Sequence, residues 1–215
     1  MMWIESVSAI DLAVRGFVVG VVVSAPMGPV GILTVQRTLN KGRWYGFVTG
    51  VGASISDLIY AVITGLGMSY VLDFIEQPAT AHLLRIMGSI LLFFFGVYTY
   101  RSKPAKPHKT SGKLGSKWHN MLTGFLITAS NPLIVFLLMA LFARFGFVVP
   151  DYVVEQTFGY VGLLAGALTW WLCLTTALNK VGSRFNMDTI ALLNRLLGLL
   201  VMVASLVGLA YTILR

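Results

Sequence analysis

The stretch SAPMGPVGI, residues 24–32, interrupts an otherwise apolar run. Pro26 and Pro29 stand three residues apart, with Gly28 beside the second. Each proline removes a backbone donor and crowds the carbonyl one turn back, so a helix crossing this stretch must break. Whether a break is tolerated depends on the surrounding solvent, and composition names that solvent. Of 215 residues, 57% are hydrophobic and 11% charged, against about 25% charged in a soluble domain. So few charges cannot cover a water-facing surface. The chain is an all-α membrane protein.

Six segments reach the roughly 20 apolar residues that a spanning helix needs: 12–36, 46–72, 82–100, 121–143, 158–178 and 192–214. The first reads as a retained helix rather than a cleaved leader, because Glu5 and Asp11 precede it and Pro26 follows its small-residue VSA. The loops orient the spans. Arg37, Lys41 and Arg43 fill the first loop, six Lys and Arg the third, and Lys180 and Arg184 the fifth, which is 11 of the 16 in the chain. Asp73 and Glu76 mark the second loop, and Asp151 and Glu155 the fourth. The odd loops therefore face the cytoplasm and both termini face outside. The net charge of +8 follows these loops, so it anchors topology on anionic lipid and does not mark a nucleic-acid partner.

The Pro-, Gly- and Lys-rich segment 101–118 reads as a cytoplasmic linker between two halves, 1–100 and 119–215. The halves resemble each other. Arg85 and Gly88 match Arg195 and Gly198, and Pro29 matches Pro132. Three spans per half is an odd number, so a duplication places the second half upside down: two inverted three-helix repeats, broken in the first and fourth spans. Such repeats place a substrate near the midplane between broken helices. Pro26, Gly28 and Pro29 in one half, and Ser130, Asn131 and Pro132 in the other, are the candidate break residues. Exposed carbonyls there suit an ammonium, and a half-helix N-terminus suits a carboxylate. The alternative is a pair of packing kinks.

Asp57 is the only acid deep in a span. It lies eleven residues beyond Gly46, about 16 Å along a helix, near the middle of a hydrocarbon core about 30 Å thick. A carboxylate at that depth costs roughly 2.5–3.5 kcal/mol and is functional by default. It would carry a proton or take a substrate ammonium. Its structural alternatives are a pair with Arg85, or hydrogen bonds to Ser54 or Ser56. Cys173, the single cysteine, reads as a buried thiol. Trp170 and Trp171, opposite Asp57 in the repeat, either line the core or stack on a cation. Three G-x-x-x-G pairs, at 16 and 20, 46 and 50, and 162 and 166, read as close helix contacts. They also permit a homodimer.

No enzyme signature, metal-ligand spacing or phosphate-cradling loop is present, so no cofactor is expected and transport must draw on an ion gradient. A divalent-metal or inorganic-ion exporter is one rival, though a hard cation wants several carboxylates. A non-transporting structural membrane protein is another.

The run SAPMGPVGILTVQRTLNKGRWYGFVTGVGASISDLIYA, residues 24–61, with GFLITASNPLIVFLLMALF in the second half, resembles the LysE/RhtB-type amino-acid exporter family. The likeness lies in the P-G-P-type break, the basic loop after it, small residues leading to an acid at Asp57, and Asn131-Pro132. Val30 departs from it, because many members follow the break with a polar residue. The resemblance implies a six-helix secondary exporter of amino acids or related small metabolites in the bacterial inner membrane. The full expectation is proton-coupled export by alternating access, with Asp57, Ser54 and the two breaks at the site.

The topology is open to test. In a Cys173→Ser background, a cysteine from Ser111→Cys should be shielded from an impermeant thiol reagent in intact spheroplasts and labelled after lysis. One from Gln77→Cys should be labelled in both. Labelling at 111 in intact cells reverses the orientation.

Overall fold

A computed structural model describes residues 8–74, 78–102, 115–181 and 187–214. Most of the linker, and Arg184, lie outside the described residues. Among those described, the chain forms eight helices: α1 Ala9–Ser24, α2 Pro29–Lys41, α3 Arg43–Phe74, α4 Pro78–Arg101, α5 Lys117–Ala129, α6 Leu133–Phe145, α7 Val153–Val181 and α8 Met187–Ile213. Four are long and apolar enough to cross a membrane: α3, α4, α7 and α8. The count rises to six if α1 with α2, and α5 with α6, each make one broken span. Those pairs bend by 79° and 74°, sharper than packing kinks.

Local chemistry explains each break. Ser8 caps α1 by accepting from the Ile10 amide at 3.1 Å. Ala25 still has helical geometry and donates to the Val21 carbonyl as the C-cap, but Pro26 after it has no amide to extend the ladder. Gly28 is the N-cap of α2 and Pro29 its first residue, where a missing N–H costs nothing. Gly42 ends α2 at φ 95°, a conformation few side chains accept. In the second half, Ser116 caps α5 through the His119 amide, and Pro132 precedes α6. At its far end, α6 closes on Gly146 in the left-handed region. There Arg15 donates to the Phe145 and Gly146 carbonyls at 2.8 and 3.0 Å, placing a cation on the negative end of the helix dipole.

Three crossings organise the bundle: α1 on α7, α3 on α5, and α4 on α8. Glycine permits all three. A Cβ on Gly16 or Gly20 would collide with the Gly159 or Leu163 carbonyl of α7. One on Gly162 or Gly166 would collide with the Ala13 or Phe17 carbonyl of α1. Gly52 meets Met121, Gly124 meets Thr49, and Gly96 packs on Gly198. Gly46 and Gly50 lie against Thr38 and the Trp171 ring. All three expected glycine pairs thus make close contacts inside the chain. Without water to drive association, backbone approach of this kind supplies the packing that holds membrane helices together.

About half of the apolar window of α3 and α7 is buried (50% and 44%), against 28% for α4 and α8, so α3 and α7 form the centre. One reading needs correction. Cys173 is exposed, not buried. Its apolar neighbours misled, because in a bilayer an apolar run covers the lipid-facing side as readily as the core.

Gly20→Val should destabilise the protein by about 1–3 kcal/mol, the usual range for overpacking. Gly67→Ala, where an added Cβ meets nothing, should be neutral. Thermal unfolding in detergent decides, and equal melting temperatures for both variants would remove the glycine crossing from the account.

Candidate functional site

The two breaks face one cavity of about 360 Å³. The first contributes Val23, Ser24, Pro26, Met27, Gly28, Pro29 and Val30. The second contributes Ile127, Thr128, Asn131, Leu133 and Ile134. Asp57 enters from α3, Tyr98 and Thr99 from α4, Trp171 from α7 and Asn194 from α8. The volume falls near the small end of the range for small-molecule sites, about 300–1,000 Å³.

The first break is held from outside. Asn194, 1% exposed, accepts from the Met27 amide at 3.0 Å and donates to the Met27 carbonyl at 3.4 Å. Its amide side chain replaces the helical bonds that the prolines remove. Beyond it, no side chain caps α2. The Val30 and Gly31 amides have no hydrogen-bond acceptor among the described residues. The second break closes on itself. Asn131 Oδ1 accepts from the Leu133 amide and its carbonyl from Ile134, at 3.2 and 3.4 Å. The Val135 amide reaches the Pro132 carbonyl. Tyr60 donates to the Ala129 carbonyl at 2.5 Å. The breaks match in sequence but differ in chemistry: α2 presents open amides and α6 does not.

Asp57 is 3% exposed, and its Oδ1 has no hydrogen-bond partner. The pair with Arg85 is not formed; the ion pair found among the described residues joins Arg15 to Asp11. Ser54 does not serve Asp57 either, since its hydroxyl donates to the Gly50 carbonyl at 3.0 Å. Ser24 shares a side-chain hydrogen bond with Asp57, and three more buried polar atoms on the cavity wall lack partners: Thr99 Oγ1, Thr128 Oγ1 and Trp171 Nε1. Buried polar atoms are normally paired, so four orphans around one cavity describe a surface suited to a polar ligand or water.

Of the residues singled out from sequence, Asp57, Pro26, Gly28, Pro29 and Asn131 line the cavity. Ser54, Ser130 and Pro132 lie outside its lining. The Ser130 hydroxyl donates to the Leu126 carbonyl, and Pro132 serves as the N-cap of α6. Sequence reading passed over Asn194, Ser24, Thr99 and Thr128. Asn194 carried a signal, being an uncharged polar residue buried in an apolar helix beside the more conspicuous Arg195. Arg37 is also more than a loop charge. It donates to Thr49 Oγ1 and the Asn120 carbonyl, both at 2.9 Å, and to Thr123 Oγ1 at 2.7 Å, tying α2 to α3 and α5.

The family model described as LysE type translocator matches residues 21–211. The chain belongs to the LysE type translocator family. It is similar to the "Putative amino acid efflux protein YcgF" of Bacillus subtilis (strain 168), with 27% identity over 161 residues, 73% of this chain and 75% of that one. It is also similar to the "Uncharacterized membrane protein YahN" of Escherichia coli (strain K12), with 24% identity over 148 residues, 67% and 65% of the two chains. No solved structure matches. The matched region takes in both breaks, Asp57 and Asn194, and this LysE-family chain is a multi-pass membrane transporter.

Asn194→Ala should unfold at a lower temperature, because it strands the buried Met27 amide and carbonyl at about 1–3 kcal/mol for each group. An unchanged melting temperature would mean that water or backbone adjustment replaces the clamp.

Proposed function

We propose that the chain is a secondary active exporter of amino acids or related small metabolites in the bacterial inner membrane, proton-coupled and working by alternating access. The observation that carries this reading is Asp57, a buried carboxylate with a free oxygen in a cavity walled by two broken helices. A carboxylate at that depth needs a counterion or a proton. An ammonium supplies the first when substrate is bound. A proton supplies the second when substrate has left. One group thus exchanges the two, and export of an amine becomes linked to proton entry.

The packing supports an inverted duplication. α1 lies on α7 as α5 lies on α3, and α1 touches α6 as α5 touches α2. These contacts interchange when the halves are swapped, as a pair of rocking repeats requires. The cavity extends to Ser102, just past the end of α4, where the basic linker begins. By the positive-inside rule that end is cytoplasmic. Where α6 ends and α7 begins, Phe142 stacks on Phe147 at 4.4 Å and Tyr160 packs edge-on against Phe147. On this reading the chain stands open to the cytoplasm behind an outer aromatic plug, ready to load cargo for export.

Efflux of labelled amino acid from preloaded proteoliposomes should quicken when the outside is made acid. Asp57→Asn should lower that efflux by at least about tenfold, the loss expected when a charged partner is removed, and should abolish the response to the proton gradient. Full-rate, gradient-driven efflux by the variant would remove Asp57 from the mechanism.

A further inference from the structure

We infer that the cavity selects an α-amino acid with an uncharged, apolar side chain and holds it in one polarity, amine on Asp57 and carboxylate on the open N-terminus of α2 at the Val30 amide. The inference rests on the transport reading above and adds the class and orientation of the cargo.

The charge inventory comes first. Among the described lining residues, Asp57 is the one acid and none is Lys, Arg or His. The cavity therefore offers one fixed charge, matched to one ligand cation. A ligand carboxylate must find neutral donors, and the two half-helices differ there. The first amides of α6 are taken by Asn131 and Pro132. The first amides of the 13-residue α2, Val30 and Gly31, are free, at the positive end of its dipole, and Val30 stands on the cavity wall. The unpartnered, buried Thr128 hydroxyl faces the same cavity, and Ser24 lies beside Asp57 on its wall, giving the polar head of a ligand further donors and acceptors.

The rest of the wall decides the side chain. Val23, Met27, Phe95, Ile127, Leu133 and Leu137 offer only apolar surface. A second ammonium or carboxylate on the ligand would lie among them with no countercharge, which is strongly unfavourable. An apolar side chain gains from the same surface. Gly28 leaves room for the carboxylate, since a Cβ built there meets nothing within 4 Å. Its backbone at φ −75° suits any residue, so a methyl group should enter the binding space without strain.

The test is binding to the purified full-length protein in nanodiscs, by calorimetry and thermal shift. The probes are L-leucine, L-lysine, L-glutamate, leucinamide and N-acetyl-leucine. Leucine should bind. Each of the others should bind at least about tenfold more weakly, because each loses or strands a charged contact. Gly28→Ala should weaken leucine binding severalfold while leaving the ligand-free melting temperature unchanged. Lysine or glutamate binding as tightly as leucine would overturn the selectivity and leave the exporter reading standing. Leucinamide matching leucine would overturn the carboxylate subsite. If no amino acid binds, the exporter reading falls and this inference with it.

Discussion

A bilayer interior offers no water to an unpaired backbone group, yet this chain breaks two of its helices there. That constraint organises the molecule. Each break must be satisfied by something other than its own helix, and the two solutions differ. Around the first, α8 supplies Asn194 to the Met27 backbone. Around the second, Asn131 and Pro132 satisfy the amides that follow, and Tyr60 holds Ala129. Beside the breaks, the groups left unsatisfied face one cavity: the Val30 amide, the Asp57 carboxyl and the Thr99 and Thr128 hydroxyls.

The supporting structure follows from keeping that place fixed. Glycines bring α1 onto α7 and α5 onto α3 at backbone distance, so half-helices too short to span alone are each braced by a full-length partner. Arg15 and Arg37 finish the work at the ends. The first satisfies the last carbonyls of α6, and the second ties α2 to α3 and α5. In soluble proteins such arginines would face water. Here each reaches backbone and hydroxyl oxygens, which lets two polar groups from different helices settle one another's desolvation.

Much of this was legible in the sequence, for reasons that can be named. The helical breaks were, because proline and glycine act through local backbone geometry that no tertiary contact reverses. Asp57 was, because a lone acid in an apolar span has few structural excuses. Asn194 was not, since its role depends on Met27, 167 positions away in the chain, and nothing local announces that contact. Ser24, Thr99 and Thr128 were hidden for a related reason: small hydroxyls commonly satisfy themselves on their own helix, as Ser54 and Ser130 do. Only the packed structure separates those from the ones that do not. Cys173 failed in the opposite direction, because hydrophobicity does not distinguish core from lipid-facing surface in a membrane protein.

The account comes down to whether Asp57 trades a proton for cargo. The most direct measurement is proton release on binding, followed with a pH indicator in weakly buffered solution as an amino acid that binds is added to the purified protein. The account predicts that protons leave in step with binding near neutral pH, and that Asp57→Asn abolishes the release. Binding that saturates with no proton released, or release that survives intact in the variant, would contradict it.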